Sequence, residues 1–347
     1  MRRHRRSLAS IVLGWTPAAR LLVQAAMATL SLWIGVQFYL WVRFFEQGGQ
    51  GISPDRPAGV EGWLPIAGLM NLKSWLVTGH IPLIHPAAAI LLAAFLIVSL
   101  VLKKAFCSWI CPIGALSEML WRLGLVWPGK SLRLPRWLDL PLRGVKYLLL
   151  AFFTVIIFSM SAESIDAFMA TPYGLLADVK MLNFFRLITP TTTAVILGLI
   201  VASLVIRNVW CRYLCPYGAL MGLVSLASPF AIRRNPKSCI GCSRCAQACP
   251  AFLPVDRQKR ISSPECTACL SCVAACPVAN TLTFSTPGRR EARRLALGAR
   301  TIGIAIVVFL FAVVTIARIT GHWETGLPDP IYRDLIPKAA HLKHPGM

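Results

Sequence analysis

Cysteine is the residue type through which this chain can do chemistry. The 347-residue sequence holds twelve, and they fall into four groups with none left over. Two groups read Cys239-Ile-Gly-Cys242-Ser-Arg-Cys245-Ala-Gln-Ala-Cys249-Pro250 and Cys266-Thr-Ala-Cys269-Leu-Ser-Cys272-Val-Ala-Ala-Cys276-Pro277. Each is C-x2-C-x2-C-x3-C-P, the run that holds paired [4Fe-4S] clusters in bacterial proteins. Three thiolates two residues apart wrap a loop around one face of a cubane, and the fourth is carried by the turn before proline to the neighbouring cluster. This predicts one cluster on Cys239, Cys242, Cys245 and Cys276, and another on Cys266, Cys269, Cys272 and Cys249. The residues between ligands are mostly small, among them Gly241, Ala246, Ala268 and Ala275, which leaves room for the clusters. Structural zinc more often uses two C-x2-C knuckles than four-cysteine runs ending in proline.

The other two groups are Cys107-Ser-Trp-Ile-Cys111-Pro112 and Cys211-Arg-Tyr-Leu-Cys215-Pro216. A spacing of i, i+4 puts each pair on one helical face. Four thiolates brought together would suit a third cluster or a soft metal ion. Redox-active dithiols and small buried cysteines that only pack are the alternatives, and the sequence leaves all three open.

Other groups carry less. His80 and His85 are expected near a surface, where either could touch a quinone head or ligate a haem. Met70, Met160, Met169 and Met181 read as packing residues rather than copper ligands. No C-x-x-C-H occurs, so covalent haem is not expected. No glycine-rich nucleotide loop follows a plausible strand, so NAD is not expected either.

The elements that must position the thiols are read from hydropathy. Hydrophobic residues make up 56% of the chain and charged residues 14%, against about 25% charged in soluble domains. Five apolar, charge-free stretches lie between Arg20 and Arg43, Ala87 and Leu102, Tyr147 and Ala162, Arg186 and Arg207, and Arg300 and Arg318. A span needs about 20 apolar residues. The two shorter stretches are flanked by Lys103, Lys104 and Lys146, which can snorkel. With five spans and the N-terminus inside, the inner segments hold 27 of the 36 Lys and Arg and 5 of the 14 Asp and Glu. The whole net charge of +22 then falls on one face, the pattern of the positive-inside rule. Nucleic-acid binding would not predict alternation with the spans. The apolar run Leu21 to Val42 is too long for a usual cleaved leader and reads as a retained first span. The cysteine runs fall on the inner, reducing side, where disulfides are not expected.

Aligned without gaps, residues 85–116 and 189–220 share ten of 32 positions, including both cysteines and the proline of C-x-x-x-C-P-x-G-A-L. Both hairpins run in the same sense, which makes a parallel repeat. The expected fold is an all-α polytopic bundle of about five transmembrane helices with an inserted small α+β domain. Its parts are a basic cytoplasmic N-terminus (1–20), a first hairpin (21–116), a cytoplasmic loop (117–146), a second hairpin (147–220), a two-cluster domain (231–288), a fifth helix (301–318) and a periplasmic tail (321–347) with little regular structure. Gly68–Val77 and Gly174–Leu187 read as amphipathic, interfacial segments.

CSWICPIGAL and CRYLCPYGAL, with a tandem cysteine run after the second, resemble the membrane polyferredoxins of the NapH/NosR/MauN type. The resemblance implies a bacterial inner-membrane electron-transfer protein whose clusters exchange electrons with the quinol pool and with a redox partner such as a ferredoxin or cytochrome. NosR-type members carry an extra FMN domain that this chain lacks, so FMN is not expected. A related group of copper reductases, active in oxidase assembly, supplies the alternative function: metal reduction or assembly of a respiratory enzyme. Arg233, Arg234, Lys237 and Arg244, beside the first run, could dock an acidic partner.

Overall fold

The computed structural model describes residues 16–52, 54–126, 132–288, 295–342 and 344, so most of the basic N-terminus lies outside the described residues. The chain is mostly helical. In order the helices are α1 (Ala18–Glu46), α2 (Pro65–Thr78), α3 (Pro86–Leu102), α4 (Ala105–Trp109), α5 (Pro112–Val126), α6 (Arg136–Ser159), α7 (Ala162–Met169), α8 (Pro172–Leu175), α9 (Ala177–Arg186), α10 (Pro190–Val205), α11 (Pro216–Val224), α12 (Arg244–Ala248), α13 (Ser271–Ala274), α14 (Ala299–Ile319) and α15 (Asp329–Leu335). Two strands, β1 (Ala231–Arg234) and β2 (Leu282–Ser285), pair antiparallel with Ala231 opposite Ser285 and Arg234 opposite Leu282.

Among the described residues, α1, α6 and α14 are each long and apolar enough to cross a membrane. α9 and α10 meet at a bend of 82° and together would make a fourth span. α3 is apolar but has only 17 residues. Two expectations are corrected. Residues 117–146 are not a plain loop, because α5 runs to Val126 and α6 starts at Arg136, with Pro141 inside it. The tail is more regular than expected: α15 is followed by a 3-10 turn, Ile336–Lys338. Tyr332 and Ile336 give the tail two buried apolar anchors, which offset the entropy of ordering it.

The chain divides into two compact units. One comprises residues 1–28, 95–150 and 194–308 and holds all twelve cysteines. The other comprises 29–94, 151–193 and 309–347. Every point where the chain passes between units falls inside a helix: α1, α3, α6, α10 or α14.

The cysteine-free unit packs Phe38, Trp41, Val42 and Phe45 of α1 against Val179, Tyr332 and Ile336. The Trp41 ring meets the Tyr332 ring edge-on at 4.8 Å. In the same unit Gly68 lets α2 lie against α3, since a Cβ there would come within 2.9 Å of the Ala88 carbonyl oxygen. Lys73 caps the end of α6 by donating to the carbonyls of Ile157, Phe158 and Met160.

Candidate metal centres

The cysteine-bearing unit contains two recesses, and each is lined by four cysteines. The first is lined by Cys239, Cys242, Cys245 and Cys276, together with Arg234 and Asp256. The second is lined by Cys249, Cys266, Cys269 and Cys272. In each, three cysteines come from one run and the fourth from the other run.

Local backbone explains the cradles. Gly241 has φ 74° and Ser243 φ 53°, while the equivalent Ala268 and Leu270 have φ 47° and 57°. Three of these four left-handed positions carry side chains, a strained choice that persists where the surroundings demand it. Left-handed residues alternating with ordinary ones turn successive N–H groups to one side, as anion-binding nests do. The short helices α12 and α13 then carry Cys245 and Cys272. The β1–β2 ladder ties the start of the segment to its end. Eight thiols around two recesses that lack filling side chains are what iron–sulfur cubanes require, so the residues fit that cofactor.

The recesses differ in environment. Cys242 is exposed, and Lys237 and Arg244 beside it are exposed too. Cys249, Cys266, Cys269 and Cys272 are all buried. Burial pushes the free Cys249 thiol up to about 12 and that of Cys266 to about 11. Such thiols are poor nucleophiles and need a bound metal to become thiolates.

The four remaining cysteines, Cys107, Cys111, Cys211 and Cys215, come together in the same unit, with Cys211 close enough to feel the charge of the other three. The expected single helical face is not what unites each pair. In both motifs the second cysteine leaves the helix through a wide turn: Cys111 N–H donates to Phe106 O (3.0 Å) and Cys215 N–H to Trp210 O (2.9 Å), each five residues back. The proline that follows disfavours helix at the cysteine and begins the next helix instead. Cys215 is therefore the N-cap of α11, its sulfur accepting the Gly218 N–H at 3.2 Å. Cys111 accepts from the N–H groups of Gly114 and Ile113. Gly114 is required by this path, since a Cβ there would lie 2.1 Å from the Cys107 carbonyl oxygen. Burial pushes the Cys107 thiol to about 12 and the Cys111 thiol to about 11, which disfavours the reactive-dithiol alternative. Among the described residues, no three His, Cys, Asp or Glu side chains form a group that could hold a single metal ion.

From sequence Lys103, Lys104 and Lys146 read only as snorkelling flanks of apolar stretches, whereas all three are buried. Lys104 and Lys146 are buried and share Glu265, at 4.0 Å and 2.5 Å. Arg212 is buried and paired with Asp139, 2.9 Å away. The available signal was the placement of Lys103, Lys104 and Lys146 directly at the ends of apolar stretches.

In the other unit His85 proves fully buried rather than on a surface. Its Nδ1 lies 3.1 Å from Glu61 Oε1 and its Nε2 donates to Gly174 O at 3.0 Å. With both nitrogens engaged, His85 has none left for a haem iron or a quinone. Arg56 completes a buried quartet by pairing with Glu61 (2.8 Å) and Asp178 (2.6 Å). His80 is exposed.

Comparison with known proteins agrees with this chemistry. A family model described as a 4Fe-4S dicluster domain matches residues 231–277. A second, described as a 4Fe-4S binding domain, matches residues 84–135 and again 188–235. YccM of Escherichia coli K12, an electron transport protein by name, is 50% identical over 331 residues, covering 95% of this chain and 92% of YccM. The chain belongs to the YccM family of ferredoxin-type electron transport proteins. NapH of the same organism, a ferredoxin-type protein, is 26% identical over 188 residues, 52% of this chain and 59% of NapH. MauN of Methylorubrum extorquens, a ferredoxin-type protein of methylamine utilisation by name, is 31% identical over 194 residues, 54% of this chain and 61% of MauN. No solved structure matches the chain. Family membership and the 4Fe-4S domains make this an electron transport protein with apolar helices suited to a membrane.

Proposed function

We propose that the chain is a multi-pass inner-membrane carrier of single electrons, with one [4Fe-4S] cluster on Cys239, Cys242, Cys245 and Cys276 and one on Cys266, Cys269, Cys272 and Cys249. The observation that carries this is the interleaving of the two cysteine runs, three thiols from one and one from the other around each recess. When bound, such clusters supply one-electron redox chemistry over a wide range of potentials. The chain's own residues do the rest. Buried Cys249, Cys266, Cys269 and Cys272 keep solvent from the second cluster. Exposed Lys237 and Arg244, next to Cys239 and Cys245 in sequence, offer an acidic redox partner a docking edge.

Five spans are the membrane arrangement proposed, with the N-terminus and the clusters on the cytoplasmic side and the C-terminus periplasmic. Two observations support it: the excess of Lys and Arg on one set of segments, and the passage between units inside five helices. The matching five-residue turn at Cys111 and Cys215 supports a repeated motif.

The proposed membrane-side exchange is with the quinol pool. The test is to mix anaerobic, detergent-solubilised protein with a menaquinol or ubiquinol analogue and follow cluster absorbance. Bleaching that recovers on adding the oxidised analogue is expected. Intact clusters that exchange no electron in either direction refute the quinol step.

A further inference from the structure

We propose that Cys107, Cys111, Cys211 and Cys215 hold a third iron–sulfur cluster, seated against the ligand loop of the second recess and counterbalanced by Lys104. The inference rests on the two-cluster reading above and extends it.

Four independent features converge on the tetrad. The first is the donor set, four thiols gathered from two copies of one motif. The second is the way the sulfurs are met. Cys111 and Cys215 stand at the N-termini of α5 and α11, helices of 15 and 9 residues, and accept backbone N–H groups there. Helix N-termini and N–H donors favour sulfur carrying negative charge over a neutral thiol.

The third feature is a charge that needs an answer. Lys104 and Lys146 are both buried, with side chains 3% and 0% exposed, and one carboxylate, Glu265, serves both. Glu265 lies closer to Lys146, and Tyr147 also donates to it at 3.3 Å. Lys104 is the ammonium left over. Its Nζ and the Cys215 sulfur lie 3.5 and 3.6 Å from the point where a Cβ on Gly218 would stand. A buried cation beside four thiols is accounted for if those thiols carry negative charge, as a thiolate-ligated cluster does. Neutral packing cysteines would leave it only the shared Glu265 carboxylate, 4.0 Å away.

The fourth feature is the match to a 4Fe-4S binding family model over 84–135 and 188–235. The cysteines within those two segments are Cys107, Cys111, Cys211 and Cys215.

The same residues place the tetrad next to the second recess rather than the first. Ser108 Oγ donates to Thr267 O at 2.6 Å, and Trp109 Nε1 donates to Ala268 O at 3.1 Å. Thr267 and Ala268 lie between Cys266 and Cys269, and Ser108 and Trp109 between Cys107 and Cys111. From the other motif, Arg212 Nη1 donates to Ala251 O at 3.1 Å, two residues beyond Cys249. Gly222 of α11 packs on Pro264, where a Cβ would meet the carbonyl oxygen at 2.9 Å. Both copies of the motif thus grip the loops that bear the second set of ligands. The series runs from an exposed first cluster through a buried second one to the tetrad. Each step in it passes one electron, which one centre loses and its neighbour gains, with no bond made and no proton moved.

The test is iron and acid-labile sulfide analysis, with EPR, on the full chain purified anaerobically in detergent. About twelve iron per chain is expected, and about eight in Cys107→Ser/Cys211→Ser, with the signals of the two ferredoxin-type clusters retained. About eight iron in both proteins overturns the proposal and leaves the two-cluster reading standing; about four or fewer in the wild type defeats that reading itself. Stoichiometric zinc or copper beside about eight iron also overturns it and favours the metal-reductase alternative. Should the double variant fail to fold, Lys104→Met keeps every thiol. It is expected to retain about twelve iron and to lower the midpoint potential of one centre. Unchanged potentials for every centre remove Lys104 from the account.

Discussion

Replacing Glu61 by Gln tests how the cysteine-free unit is held together. Glu61 Oε1 takes hydrogen bonds from Arg56 Nη2 (2.8 Å) and Thr325 Oγ1 (2.8 Å) and faces His85 Nδ1 at 3.1 Å, while Oε2 takes the Ala88 N–H at 3.2 Å. His85 faces two acceptors, this carboxylate and the Gly174 carbonyl, so both its nitrogens must donate and the ring is an imidazolium. The buried quartet is then neutral: Arg56 and His85 against Glu61 and Asp178. Burial by itself would raise the Glu61 carboxyl, but Arg56 and His85 overcome it and hold the group at about 2, against its ordinary 4.5. At about 1.4 kcal/mol per pH unit, that difference stabilises the fold by about 3 kcal/mol above pH 4.5. Removing one partner of a buried ion pair costs about 3–5 kcal/mol by general experience. Glu61→Gln is therefore expected to destabilise the unit by about 3 kcal/mol, read from SDS-induced unfolding of the detergent-solubilised protein followed by tryptophan fluorescence. Adding Arg56→Met should recover part of the loss, because it removes one uncompensated cation. Iron content serves as a control and should not change, since every cysteine lies in the other unit. A loss below about 0.5 kcal/mol would refute the charge argument.

Further outcomes follow from the same geometry. Stability of the unit should fall as pH drops below 4.5 towards 2, because the depressed Glu61 carboxyl gains its proton there. It should also fall on the alkaline side: Glu61 and Asp178 hold the His85 pKa above its ordinary 6.5 despite burial, so the stability it adds is lost as pH rises through the raised value. Chemical-denaturation curves across pH check both limbs. Cys269→Ser should lower iron by about four per chain and abolish one EPR signal, whereas Cys269→Ser with unchanged iron would contradict the ligand set. Gly114→Ala should prevent correct folding of the first C-x-x-x-C motif, since its Cβ would overlap the Cys107 carbonyl oxygen at 2.1 Å; normal yield and normal iron would count against that path. Lys73→Met should cost about 1–3 kcal/mol by leaving the last carbonyls of α6 without their ammonium.

The cofactor chemistry was legible in the sequence because it depends on local spacing. Cys239 to Cys245 and Cys266 to Cys272 build their loops from neighbours two residues apart, and Pro250 and Pro277 turn the fourth ligand away; nothing distant is needed to see this. The apolar stretches were legible for the same reason, since hydropathy is a property of consecutive residues. What the tertiary structure decided is where separate segments meet. It seats Ser108 and Trp109 on the loop between Cys266 and Cys269, it gives Lys104 and Lys146 a single shared carboxylate in Glu265, and it buries His85 against Glu61 and Gly174. It also puts the second cysteine of each C-x-x-x-C pair at the start of the next helix, where helical periodicity placed both on one face. Spacing along the chain is written in the sequence, while contacts between separate segments are set by which surfaces can be buried together without leaving a charge or a hydrogen bond unanswered.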